Sequence, residues 1–291
     1  MNINPIYERE HRVSTRSLRL AITILIFNFV VAGVTLIEMN TVVDFARKTS
    51  NIDYVSFLRI FRVVVFLQSA LLIFVTPSFI AGSISDERQR GTMEILLTTK
   101  MSVHSIVVGK FLSLFVSIIL VVLSQLPLIA ILFLYGGISV PDILLLAINF
   151  TIFVTLLVSM GIFCSSLVKR TSIATALLYI AVLTLFAGTL LIYNFAENSF
   201  MLNENGFLGI CFIKFSKTLL LFNPLVSMDF ILSRIMGETA SNILIGEFWY
   251  ENWFCISMIL EILLSAAFLF LSVCKIKPRC RTWRKHGNNK L

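Results

Sequence analysis

Six long apolar stretches restrict what this chain can fold into more than any other feature of its sequence. Each is long enough to cross the roughly 30 Å hydrocarbon core of a bilayer, which takes about 20 residues of helix. Charged residues make up only 14% of the chain, against about 25% in an average soluble domain, so a soluble globule could not cover its surface. The sequence therefore predicts an integral membrane protein.

The apolar stretches are unbroken runs and lack the alternation typical of barrel strands, so we expect helices to span the membrane. Little of the chain is left for a second domain. We predict an all-α integral membrane protein with one transmembrane domain over 1–291. Its six transmembrane helices are expected at 20–37, 63–82, 103–135, 143–168, 173–193 and 254–274.

The distribution of Lys and Arg predicts the orientation. With the N-terminus inside, 17 of the 24 cations fall on inner segments, as the positive-inside rule requires. Both termini are therefore expected in the cytoplasm, with 194–252 as an extracytoplasmic segment. Neither a cleaved signal nor an acid-poor transit peptide is recognisable, since Glu8 and Glu10 lie near the start. This favours a bacterial cytoplasmic (inner) membrane.

A seventh span over 206–225 is the competing topology, because that stretch is also largely apolar. It contains Lys214, Lys217 and the helix-breaking pair Asn223 and Pro224. A seventh span would also move the basic C-terminal cluster to the outer side. We therefore expect a re-entrant or interfacial outer segment before the last span.

Residues 1–19 mix apolar side chains with four arginines. Such a basic amphipathic segment is suited to lying along the inner leaflet before the chain turns into the first span. A solvated flank with no structure of its own is the alternative.

The inner loop after the second span predicts two short helical pieces. Asp86 and Arg90 stand four residues apart in the favourable acid-first order, which extends the second helix. Gly91 would end that helix, Thr92 would cap a new one, and Glu94 in its first turn would oppose the positive end of the dipole. Three apolar residues are then available to pack on the bundle or on a partner: Met93, Leu96 and Leu97.

This loop resembles the inner-loop signature of the membrane subunits of type 2 ATP-binding-cassette (ABC-2) transporters. In that family Ile-x-x-Glu-Arg-x-x-Gly-Thr-Leu-Glu-x-Leu-Leu precedes Ile-x-x-Gly-Lys. Residues 84–97 and 106–110 match this pattern, with Met93 in place of Leu. Residues 4–10 are similar to the family's amphipathic connecting helix, and 222–225 resemble its outer segment before the sixth span.

The resemblance implies that 84–102 is a coupling loop, whose short helix seats in a cleft of a cytosolic ATPase. The residues it assigns to this contact are Asp86, Glu87, Arg88, Gly91, Thr92, Met93, Glu94, Leu96 and Leu97. Because the chain has no GxxxxGK[ST] phosphate loop, we expect no enzyme activity of its own and no bound cofactor. ATP and Mg²⁺ would be held by a separate ATPase in two copies, beside a second permease subunit, identical or related.

Few ionisable residues lie within the spans. Glu261 lies near the middle of the sixth span, where an ionised carboxylate costs about 2.5 to 3.5 kcal/mol. It is expected to contact substrate or a proton, or else to pair with a polar group of a neighbouring helix such as Gln68 or Gln125. Lys110 is expected to snorkel to the headgroups, and Arg62 to anchor a helix end at the interface. Polar residues within spans more often join helices: Asn28, Gln68, Gln125 and Asn149.

The five cysteines form no CxxC pair and the three histidines are far apart, so neither a metal site nor a disulfide framework is predicted. In a membrane protein the net charge of +8 reflects orientation, and we expect no nucleic-acid partner.

The leading function is the permease subunit of an ATP-driven exporter. The 26 phenylalanines favour a hydrophobic or amphipathic substrate, such as a drug, lipid-linked molecule or antimicrobial peptide. The alternatives are a secondary transporter, which would need inverted repeats around a charged midplane site, and a membrane sensor or scaffold.

Overall fold

The computed structural model describes residue 8 and residues 18–49, 54–93, 102–136, 138–200, 207–237 and 247–276. Every regular element within these ranges is helical. In chain order the helices are α1 Leu18–Thr49, α2 Tyr54–Ile80, α3 Gly82–Gln89, α4 Val103–Leu123, α5 Leu126–Gly136, α6 Val140–Leu167, α7 Thr171–Leu183, α8 Thr189–Phe200, α9 Phe207–Leu220, α10 Pro224–Ile235 and α11 Glu247–Ile276. A π-helix, Thr184–Gly188, joins α7 to α8.

Six helical segments of the described chain are long and apolar enough to cross a membrane. They are Leu18–Lys48, Ser56–Gln89, Val103–Leu132, Val140–Leu167, Thr171–Asn198 and Asn252–Ile276. The predicted all-α membrane protein with six spans is confirmed. Of the amphipathic segment predicted over 1–19, only Glu8, Leu18 and Arg19 lie among the described residues.

Helix α6 is the centre of the bundle. It is buried on all sides between Ile152 and Ile162, apart from one half-buried threonine, because it is apolar or small all round. Helix α11 packs along it, and α2, α4, α7 and α10 also contact it. Gly161 allows the closest approach, since a Cβ there would lie 2.3 Å from Cγ2 of Ile80 on α2. A small residue at a crossing is how membrane helices pack closely.

The third span bends at a turn between α4 and α5. Asn28 on α1 donates a hydrogen bond of 2.9 Å to the hydroxyl of Ser124 in that turn, so it joins two spans as predicted. The same role is not seen for Gln68, Gln125 and Asn149, whose buried amide atoms have no hydrogen-bond partner in the described part of the chain.

Helices α9 and α10 form a sharply bent pair, called the α9–α10 hairpin below, in place of a straight seventh span. The segments Cys211–Leu220 and Pro224–Ile235 meet at 85°, and at 1.5 Å per residue neither alone crosses a bilayer. The break falls at Asn223, as the sequence predicts. Its amide nitrogen donates to the carbonyl of Phe186 in the π-helix (3.0 Å) and to Thr189 Oγ1 (2.8 Å). The tip of the hairpin is thereby fixed to the fifth span.

Arg62 of α2 also contacts this hairpin. Its Nη2 lies 2.5 Å from Oδ1 of Asp229 on α10, and both side chains are about one-third exposed. The prediction that Arg62 anchors a helix end named no partner for it, and the structure adds one, because a carboxylate on the hairpin lies within reach of its guanidinium.

Candidate functional site

The predicted coupling-loop residues begin on α3, which a single non-helical residue, Ala81, separates from α2. Ser165 of α6 occupies this break. Its hydroxyl accepts hydrogen bonds from the backbone N–H groups of Ile84 (3.0 Å) and Ser85 (2.9 Å), and donates one to the Ala81 carbonyl (2.8 Å). A side chain inserted into the backbone ladder in this way bends or breaks a helix. Helix α3 is therefore held directly by the central helix of the bundle.

An ion pair fixes α3 to the third span. Lys110 of α4 lies with its Nζ 2.8 Å from Glu87 Oε1 and donates a second hydrogen bond of 2.8 Å to the Ser83 carbonyl. The lysine side chain is only 3% exposed. The expectation that Lys110 snorkels to lipid headgroups is wrong, because a carboxylate and a carbonyl inside the bundle replace the water around its ammonium group.

Two further side chains of α3 reach the fourth and fifth spans. Arg88 Nη1 donates a hydrogen bond of 2.6 Å to the carbonyl of Ser166, near the C-terminus of α6. Gln89 Oε1 accepts from the backbone N–H (3.3 Å) and the hydroxyl (3.4 Å) of Thr171, the first residue of α7. Helix ends leave such groups without intrahelical partners. Side chains of α3 therefore satisfy the ends of two neighbouring spans.

The C-terminal end of α3 has the predicted form. Arg90 Nη2 lies 3.1 Å from Asp86 Oδ2, which confirms the acid-first pair. Gly91 follows with φ +74°, a left-handed conformation that glycine adopts without steric penalty. The helix therefore ends where the sequence indicates.

A new helical segment begins at Thr92, whose hydroxyl donates to the Glu87 carbonyl at 3.3 Å. Met93 is 4% exposed and packs in the main hydrophobic core. The last three predicted coupling residues lie outside the described residues: Glu94, Leu96 and Leu97. The structure thus brings Asp86 to Met93 together at the ends of four spans. We call this segment, together with the rest of α3, the α3 platform.

Glu261 belongs to a different part of the bundle. On α11, its Oε1 accepts hydrogen bonds from Ser227 of α10 (3.0 Å) and from Ser257 (2.9 Å). Its polar partner on a neighbouring helix is therefore Ser227, and not Gln68 or Gln125, the two examples that the sequence suggested.

Sequence reasoning missed the residues that hold α3 in place. Lys110 closes the Ile-x-x-Gly-Lys pattern, so the motif itself was a signal that its ammonium group has a role beyond the headgroups. Ser165 and Gln89 carried no such signal, because a serine in a span and a glutamine in a loop are ordinary on their own. The partners of Ser165 and Gln89 become visible only in the structure, where α3 packs beside α6 and α7.

Comparison with known families agrees with the fold. The family described as ABC-2 family transporter protein matches residues 4–274. No curated protein matches the chain at a significant level. The matched range includes the first five spans, α3, the α9–α10 hairpin and the sixth span up to residue 274. The chain therefore belongs to the ABC-2 transporter family and is a multi-pass membrane permease.

Proposed function

We propose that this permease is the membrane subunit of an ATP-driven exporter, and that its 84–102 loop docks on a separate cytosolic ATPase. One observation carries the proposal. Helix α3, which leads into the loop, is bonded to α4 through Lys110, to α6 through Ser165 and to α7 through Gln89. A loop with no mechanical role would not need three spans to hold its base.

The contacts suggest a path for motion. A partner that holds the helical segment beginning at Thr92 would displace it during the nucleotide cycle. Gly91 separates that segment from α3, while the Thr92 hydroxyl ties it back to the Glu87 carbonyl. Because α3 is bonded to several spans, a displacement would move their ends together. Coupling between distant sites needs such a contiguous set of packed and hydrogen-bonded elements.

The coupling residues then divide into three groups. The first shapes and fixes the platform, and its members act as positioning residues: Asp86, Glu87, Arg88, Gly91 and Thr92. Met93 packs in this chain's own core. In our proposal Glu94, Leu96 and Leu97 meet the ATPase, with the two leucines in an apolar cleft of the partner.

The assembly that we propose contains two permease subunits, identical or related, and two ATPases that bind ATP and Mg²⁺. It moves a hydrophobic or amphipathic substrate outward across the bacterial cytoplasmic membrane. The location of 17 of the 24 cations on the segments assigned to the inside supports cytoplasmic termini and a cytoplasmic coupling loop.

Co-purification tests the docking. The permease is co-expressed with a candidate ATP-binding-cassette ATPase from its source organism, and the tagged permease is purified from detergent. We expect the wild-type protein and the Lys100→Ala variant to retain the ATPase, whereas Glu94→Lys reverses the charge of a proposed docking residue and loses most of the ATPase. Wild-type recovery of the ATPase with Glu94→Lys would overturn the assignment of Glu94 to the docking contact.

A further inference from the structure

Glu261 belongs to a closed network of four oxygen atoms between the hairpin and the last span. Besides its bonds from Ser227 and Ser257, the two serine hydroxyls lie 2.6 Å apart. The Ser257 hydroxyl also donates to the carbonyl of Leu221 at 2.8 Å. Glu261, Ser227 and Ser257 are each 0% exposed. The network therefore has four close oxygen–oxygen contacts and no contact with water.

Counting hydrogens shows that this network needs a proton from the carboxyl group. Each serine supplies one hydrogen, and a carbonyl or an ionised carboxylate supplies none. With Glu261 ionised, two hydrogens serve four contacts, and two pairs of oxygens face each other with no hydrogen between them. A proton on Oε1 can be donated to Ser257 Oγ, and then only one contact lacks a hydrogen.

The second carboxyl oxygen leads to the same conclusion. Oε2 of Glu261 is buried and has no hydrogen-bond donor among the described residues. In an ionised carboxylate this oxygen would carry half of a buried negative charge, which is far more costly than burying a neutral carbonyl oxygen. A carboxylic acid protonated on Oε1 removes that charge.

We propose that Glu261 binds a proton while α10 is packed on α11, and releases it to water that enters when the two helices part. The bond that forms and breaks is the Oε1–H bond of Glu261, and water is the proton acceptor. Proton uptake would thus latch the α9–α10 hairpin onto the last span. This site is separate from the α3 platform, and the proposal does not rest on the proposed function.

The charged groups on the surrounding helices do not supply a counter-ion. Within the described ranges none of them forms an ion pair with Glu261. On α10, Asp229 is paired with Arg62, and Arg234 is exposed in the last turn. On α4, Lys110 is paired with Glu87, and His104 is at the exposed start of the helix. Among the side chains of α6 and α11 that the structure describes, the other titratable groups are Asp142, which bonds to Ser139, and Cys164, Cys255, Cys274 and Lys275.

Infrared spectroscopy of the purified permease in lipid nanodiscs tests this directly. At neutral pH we expect the carbonyl stretch of a buried carboxylic acid, sensitive to exchange into D₂O, in the wild-type protein. The Glu261→Gln variant, which keeps the size and one donor of the protonated acid, should lose that band. Identical spectra for the two proteins in this region would overturn the proposal.

Hydrogen exchange over α10 tests the latch. As pH rises, exchange corrected for its intrinsic pH dependence should increase in the wild-type protein and stay constant in Glu261→Gln. An equal pH dependence in both would contradict the latch.

If Glu261→Gln fails to fold, Ser227→Ala replaces it in the infrared experiment, because loss of that hydroxyl should shift the frequency of the carboxylic-acid band. An unshifted band would show that it does not come from Glu261 and would overturn the proposal. Neither measurement involves an ATPase, so failure of the exporter proposal would leave both results intact.

Discussion

Lys110 Nζ lies 2.8 Å from Glu87 Oε1, so an ion pair inside the bundle joins the third span to the helix that leads into the coupling loop. The two residues are 23 positions apart in the chain. Their contact, together with the bond from Lys110 to the Ser83 carbonyl, closes a loop between α3 and α4. These contacts hold the second and third spans together at the α3 platform.

Replacing Lys110 with Met should destabilise the permease. The substitution keeps the apolar stem but leaves the half-buried Glu87 carboxylate without its partner, at a cost of about 1 to 3 kcal/mol. Thermal unfolding in detergent measures the loss. The exposed Lys48→Met is the control and should change stability little. The double variant Lys110→Met with Glu87→Gln should lose less stability than the sum of the losses in the two single variants. A loss equal to that sum would argue against the ion pair.

Ser165→Ala should be more harmful than the same change at the next residue. The substitution removes the hydroxyl that accepts hydrogen bonds from the Ile84 and Ser85 N–H groups. The expected loss of stability is roughly 2 kcal/mol or more. Ser166→Ala loses only a bond to the Phe163 carbonyl in its own helix. Hydrogen exchange of the 82–89 segment compares the two variants, and equal protection in both would contradict the role assigned to Ser165.

The local rules of helix formation explain which parts of this platform the sequence could predict. The acid-first pair Asp86 and Arg90 and the left-handed Gly91 depend on neighbours in the chain, so their outcome is readable in advance. The contacts of Lys110 and Ser165 depend on which spans lie beside α3. That arrangement is set by packing over the whole bundle, for example by the close approach at Gly161, and spacing along the chain does not encode it.

Gly161→Ala should weaken the packing of α6 on α2. Its Cβ would lie 2.3 Å and 2.9 Å from side-chain atoms of Ile80 and 3.2 Å from Leu178. Overpacking of this kind costs typically about 1 to 3 kcal/mol. Gly33→Ala is the matched control, because nothing lies within 4 Å of its Cβ position and alanine is the better helix former. Equal unfolding temperatures for the two variants would show that α6 and α2 can separate at no cost.

The proposed orientation predicts how single cysteines react with a membrane-impermeant reagent. In a background without the native cysteines, Phe200→Cys should be labelled in intact cells. Arg90→Cys, at a side chain that is 71% exposed and directly follows α3, should be labelled only after permeabilisation. The reverse pattern would invert the topology and place the coupling loop on the wrong side for a cytosolic ATPase.

The most direct test of the α3 platform is the ratio of substrate exported to ATP hydrolysed, measured in one set of proteoliposomes that contain the permease and its ATPase. Lys110→Met loosens the platform at a point away from the proposed docking residues. It should therefore retain the bound ATPase and its hydrolysis while the export of an amphipathic dye falls several-fold. A Lys110→Met complex that exports the dye at the wild-type ratio would contradict the claim that α3 carries motion from the ATPase into the spans.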